Sequence, residues 1–166
     1  FDNVTFSQHS TFQSANFMQN TSFQKSTFKQ ISSFQESKFL QTAVFQNTTF
    51  EGWVSFKKST FKKSLHIFQS FFEDATTFDN SSVKGEAHIS SSHLNKDSSF
   101  KDCIFSEAVY IKKTTFEGGL NFETTKFLGD IAFESSQITG NASLQKAKFH
   151  GVTQLRDVTF SSEVNL

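Results

Sequence analysis

His66 and His88 stand 22 residues apart, and Tyr110 follows after another 22. Two imidazoles held one strand spacing apart, about 5 Å, could share a metal ion or a small ligand. Continued in both directions, the same series reads Ser22, Val44, Ala132 and Gln154, so it supplies no Asp or Glu as a third ligand. His66 and His88 are therefore an incomplete pair of candidate metal ligands, and an exposed polar ladder is the plainer reading. Other reactive types are no better placed. Ser22 and Lys25, like Ser55 and Lys58, match a Ser-x-x-Lys pattern, but in a chain this rich in both residues the match carries no weight. Cys103 is the only cysteine, so it forms no disulfide within the chain. No phosphate-binding loop, dinucleotide fingerprint or zinc-binding helix motif is present, and no cofactor is implied.

Where these side chains end up depends on the elements that carry them. The chain has 166 residues, among them 24 Phe, 8 Leu and no Pro. Starting at Phe1, steps of five and six residues land on Phe at 6, 12, 17, 23, 28, 34, 39, 45, 50, 56 and 61. The same rhythm continues through Ile67, Phe72, Phe78, Val83, Ile89 and Leu94, and on to Leu166. All 31 positions are apolar and 22 are Phe, with no slip in register. A second series lies two residues before each beat and is small or aliphatic throughout, as in Ser26, Ser32, Ser37, Ala43 and Thr48. Together the two series hold 61 positions and not one charge. These are the inward positions of a buried interior.

Residues i−2 and i share one side of a strand, while i−1 faces the other. The i−1 positions are mostly polar (Thr5, Thr11, Asn16, Ser22, Thr27), with Val44, Phe71, Ile104 and Ala132 as exceptions. Each unit therefore reads as a three-residue strand with two inward side chains. Corners of two residues (Gln13-Ser14) alternate with corners of three (Glu51-Gly52-Trp53). Six of the seven glycines occupy the middle of three-residue corners: Gly52, Gly85, Gly118, Gly129, Gly140 and Gly151. The expectation is that these corners need positive φ. A helical coiled coil with an eleven-residue repeat would need apolar spacings of three and four, not five and six.

In "TKFLGDIAFESSQITGNASLQKAKF" the units alternate between Phe-x-x-small-x and Phe-x-Gly-x-small-x. The pattern resembles the pentapeptide-repeat family in a Phe-rich variant, over the full chain. The resemblance implies an all-β fold, a right-handed quadrilateral parallel β-helix of four units and about 22 residues per coil. The whole chain then makes about 7.5 coils, a rod about 36 Å long at strand spacing. Residues 1–166 are expected to form a single β-helix, a segment of a longer chain with flanking domains. Residues 22 apart should stack, so Phe6, Phe28 and Phe50 form one internal ladder and Phe1, Phe23 and Phe45 another.

Function is less constrained. Formal net charge is zero, which argues against nucleic-acid binding. No apolar run reaches 18 residues, so no membrane span is expected in this segment. The single cysteine disfavours a small disulfide-stapled secreted fold, and a cytoplasmic location is favoured over export. Lys57, Lys58, Lys62, Lys63 and Lys84 form a basic cluster that reads as a solvated face. The chain's only off-beat Phe residues, Phe68 and Phe71, break the polar outward pattern, with Ile31 and Trp53 in a corner series beside them. Exposed aromatics mark binding surfaces, so these four are candidates for protein contact. The leading expectation is a non-enzymatic structural scaffold or protein-interaction module that meets a protein partner or a second copy of itself. The resemblance also implies an alternative, a DNA-mimicking inhibitor of a topoisomerase such as gyrase, against which the neutral charge and the absence of an acidic series both stand. A β-helix carbohydrate-active enzyme is the third reading, and it lacks a visible carboxylate cluster.

Overall fold

The computed structural model describes residues 1–166. Thirty short strands run from Thr5–Phe6 to Val164–Asn165, with no helix. They stack into four parallel sheets, two of eight strands and two of seven, which gives the expected seven and a half coils. The first face begins at Thr5–Phe6, the second at Ser10–Thr11, the third at Asn16–Phe17 and the fourth at Thr21–Ser22. Register advances by 22 residues at every step: Thr5 pairs with Thr27, Thr27 with Thr49 and Thr49 with Phe71. The register holds through the Ser82–Val83 and His93–Leu94 strands. Each coil hydrogen-bonds to the next, as where Thr27 N donates to Val4 O at 2.9 Å and Lys29 N to Phe6 O at 3.0 Å.

Every beat residue from Phe23 to Ile138 is buried. Rings 22 apart lie face to face, with centroids 4.5 Å apart for Phe6–Phe28 and 5.3 Å for Phe105–Phe127. Rings on neighbouring faces meet edge-on, as Phe23 and Phe34 do at 5.4 Å and 78°. Both arrangements are favourable for aromatic quadrupoles, at about 0.5–1.5 kcal/mol per pair beyond the area buried. A square interior one strand spacing deep per coil suits a flat ring, which explains the preference for Phe over Leu. The first and last coils have one neighbour each, so Phe1 and Leu155 stay open to solvent.

Two expectations about the backbone are corrected. No glycine has positive φ. The left-handed conformation falls instead on the second residue of every two-residue corner, from Asn3 (φ 58°) to Asp157 (φ 52°), always a non-glycine. The glycines answer to space. A Cβ on Gly118 would sit 2.3 Å from the Lys96 carbonyl carbon, and one on Gly52 would sit 2.6 Å from that of Gln30. Successive three-residue corners touch there, and only a missing side chain lets them do so. The strands also differ by face. On the fourth face most are four residues long, such as Ala43–Gln46 and Leu65–Phe68, whereas the other faces carry two-residue pairings. The corner after the second face closes with a turn bond, Ala15 N to Phe12 O at 3.0 Å and Ser37 N to Phe34 O at 3.1 Å. With positive φ at the third residue, this is the pattern of a type II turn. After the fourth face the strand runs on into the corner instead, except at Thr21–Ser22, where Ser26 N donates to Phe23 O at 3.2 Å.

Candidate protein-contact surface

The outward series of the first face reads Thr5, Thr27, Thr49, Phe71, His93, Thr115, Gln137 and Thr159. Strand alternation turns Phe72 inward, so Phe71 must point out. It does, with 54% of its surface exposed. The His93 ring lies beside it, with centroids 6.2 Å apart, and His93 Nε2 is 3.0 Å from Glu117 Oε1. Phe68 ends the Leu65–Phe68 strand of the fourth face, just before the corner, and is also exposed. It pairs with Gln46 above and Ser90 below, so no apolar neighbour covers it along the ladder. Trp53 and Ile31 are exposed in the three-residue corner on the other side of the first face. The four candidates thus border or occupy the first face, with Phe71 central, Phe68 at one edge and Trp53 and Ile31 at the other.

That second edge carries a feature missed in the sequence. Glu51, Glu73, Asp74, Asp97 and Glu117 all lie in the corner between the first and second faces, and all are exposed. Two exposed cations share that corner, Lys29 one coil before Glu51 and Lys96 beside Asp97. Glu117 meets His93, whereas Glu51, Glu73, Asp74 and Asp97 take part in no ion pair. An acidic edge therefore exists, which the expectation of no acidic series did not cover. It is spread over three adjacent positions of the corner, so no single 22-residue series is acidic.

The histidine pair does come together. The His66 and His88 rings stack with centroids 4.9 Å apart and planes 11° apart, and Tyr110 continues the stack at 5.0 Å. Lone pairs of an imidazole lie in its ring plane, so two parallel stacked rings point past each other rather than at one ion. Glu86 reaches His88 from a neighbouring series, with Oε2 3.0 Å from Nε2, which supplies the carboxylate the sequence did not reveal. No group of three such residues is placed to hold a metal. Burial, with His88 beside it, lowers the His66 pKa from its ordinary value.

Other candidates resolve simply. Cys103 is buried, its thiol donates to the Phe78 carbonyl at 3.0 Å, and burial pushes its pKa up to about 12. A thiol in that state is not a nucleophile. Ser55 is buried, and its hydroxyl accepts the Lys57 backbone N–H. Lys57, Lys58, Lys62, Lys63 and Lys84 are all exposed on the opposite side of the rod, with Lys58 3.7 Å from Glu36. No helix is long and apolar enough to cross a membrane.

A family model described as pentapeptide repeats matches in nine copies, over residues 23–68 and 100–148. The unmatched stretch between them carries Phe71, Glu73, Asp74, His88 and His93. Neither a curated protein nor a solved structure matches the chain. The match covers more than half of the sequence, the coils close in the four-sided way such repeats imply, and the chain belongs to the pentapeptide-repeat family.

Proposed function

We propose that this chain is a protein-interaction module, a rigid rod presenting a contact surface centred on Phe71, with Phe68, Trp53 and Ile31 at its margins. Pentapeptide-repeat solenoids are generally non-enzymatic scaffolds, and the rod acts here as a scaffold. One observation carries the reading: Phe71 is a fully outward aromatic in a series otherwise polar, 54% exposed, on a rod whose interior is already filled. An outward Phe gives the fold nothing, since Thr suits the same position in the coils above. Covering exposed rings on association contributes about 25 cal/mol per Å² before the costs of binding.

Site-specific photocrosslinking tests this. A photoreactive phenylalanine analogue at position 71 should give a discrete protein adduct, and the same analogue at position 27 should give none. Adding Phe68→Ser should remove the adduct while far-UV circular dichroism stays unchanged. No adduct at 71, or the same adducts from both positions, defeats the reading. The module is further proposed to work as part of a longer chain, with the rod as its single folded unit over residues 1–166.

A further inference from the structure

We infer that the partner segment received on the Phe71 face is cationic as well as apolar, a stretch of protein in which lysine or arginine flanks leucine-like or aromatic side chains. This rests on the contact-surface reading and adds the chemistry of the occupant. The apolar part of the surface, Phe68 and Phe71 across the first face and Trp53 at its far edge, is exposed and uncovered. Along that far edge run Glu51, Glu73, Asp74 and Asp97, four exposed carboxylates without an ion-pair partner, with Glu117 bound to His93 at the end. Lys29, one coil before Glu51 in the same corner, and Lys96 offset them only in part. On the opposite margin Lys112 is held by Glu134 at 2.9 Å, and the unpaired Lys25 and Lys113 lie two coils away from Phe68 on either side. The surface that shows its rings to solvent therefore carries a border with more carboxylates than cations. The whole chain, by contrast, has no net charge.

Two physical consequences follow. A neutral or acidic apolar partner would place its polar rim against like charge or leave these carboxylates desolvated, which is costly. A cationic rim meets them, while lysine and arginine stems extend the apolar cover over the rings. Exposed charges act over about 8 Å at physiological salt, and the Glu51–Glu73 series is one coil step long beside Phe71, inside that range. The chain's own lysine cluster lies on the third face and its corners, the far side of the same rod. It cannot fold back onto this border, so the cation must come from another molecule. A foreign segment is favoured over a second copy, because the lysine-bearing corners offer no exposed aromatic to cover Phe71, and the exposed aliphatic residues Ile104 and Leu128 lie one and two coils beyond Lys84 rather than among the lysines.

Trp53 is the only tryptophan, so its fluorescence reports directly on the site. The probe is a short synthetic peptide of lysine, leucine and phenylalanine, compared with the same peptide carrying glutamate in place of lysine. The lysine peptide should shift Trp53 emission saturably, with an affinity that falls as salt rises, and the glutamate peptide should not. Phe68→Ser/Phe71→Thr should weaken binding about tenfold or more. Glu51→Gln/Glu73→Gln/Asp74→Asn should weaken it about tenfold and flatten the salt dependence. Equal binding of both peptides, or a charge variant that binds like the parent, overturns the inference. If the charge variant still binds and only the aromatic variant fails, the contact surface stands and the cationic partner falls. Concentration-dependent self-association of the free chain, seen by sedimentation and abolished by Phe68→Ser/Phe71→Thr, would replace the foreign segment by a second copy and also overturns it.

Discussion

The buried Ser70 hydroxyl donates to the Phe45 carbonyl at 2.8 Å and accepts the Thr48 backbone N–H at 3.1 Å, tying one coil to the coil before it. Ser26, Ser59, Ser81, Thr114 and Thr125 donate in the same way to Phe1, Phe34, Phe56, Ile89 and Phe100. The small residue two before the beat therefore does more than leave room for a ring. After most two-residue corners it supplies a hydrogen bond that the corner backbone would otherwise lack; Val4, Ala15, Ala147 and Val158 are the exceptions.

Ser70→Ala should cost about 1–3 kcal/mol, because it strands a buried carbonyl and a buried N–H together. Ser70→Thr should be close to neutral, since Thr48 and Thr114 occupy equivalent places and keep the hydroxyl. Thermal melts of the two variants read the difference. Equal losses would mean that packing, not the hydroxyl, sets the preference.

The interior should refuse charge where the exterior accepts it. Phe105 is buried between coils, face to face with Phe127, so Phe105→Asp should cost several kcal/mol, roughly the price of an unpaired buried carboxylate. The outward control must be chosen with care. Ser99 donates to Asp79, so an acid there would meet an acid. Gln137 is exposed between Thr115 and Thr159, and Gln137→Glu should change stability by less than about 0.5 kcal/mol. Urea midpoints that move equally would overturn the inward and outward assignment.

The two kinds of corner should answer oppositely to glycine. Lys58 holds φ at 58°, a conformation that L-residues adopt at a cost. Lys58→Gly should therefore be neutral or stabilising, within about 1 kcal/mol, after the entropy of the unfolded chain is counted. Gly118→Ala should destabilise by about 1–3 kcal/mol, because its Cβ would meet the Lys96 backbone at 2.3 Å. The reverse order of melting temperatures would restore positive φ as the reason for glycine.

The strands and the inward residues were legible because one period governs them all, and the four-sided coil followed from the resemblance of that period to pentapeptide repeats. The beat runs unbroken through Ile67 and on through Val83 and Leu94, where composition alone suggests a linker. The reason for glycine was not legible, since close approach and positive φ select the same residue. Asn3, Asn47, Asn80, Asp102 and Asp157 at the second corner position were the better sign of left-handed backbone. Phe71 stood out as the one apolar member of its series. The acidic edge did not, because Glu51 and Glu73, Asp74, and Asp97 belong to three different series that only the corner brings together. Glu86 escaped notice beside His88 for the same reason.

Cys103 should be silent toward thiol reagents in the folded protein. Its pKa is raised to about 12, chiefly by burial, so almost no thiolate exists at neutral pH. The raised value means that the folded form holds its proton more tightly than the unfolded chain. The contribution to stability is complete below the unfolded value of about 8.5 and is lost as pH rises from there toward 12. Labelling by a maleimide at pH 7 should require denaturant, and Cys103→Ser should reduce the alkaline loss of stability. Rapid labelling without denaturant would show the coil open at that site.

His66 should make the fourth face sensitive to acid. Burial and then the neighbouring His88 lower its pKa, and Glu86 opposes them. A lowered value means that the unfolded chain binds a proton more readily than the folded one. The contribution to stability is therefore present above about pH 6.5, the ordinary value, and is lost as pH falls through the lower folded value. Proton NMR should place the His66 midpoint below that of an unstructured histidine peptide. His88→Gln should raise the midpoint by removing the neighbouring charge, yet leave it below the peptide value, because burial is the larger cause. A His66 midpoint at or above the peptide value would mean that Glu86 outweighs burial. Stability would then fall with rising pH rather than with falling pH.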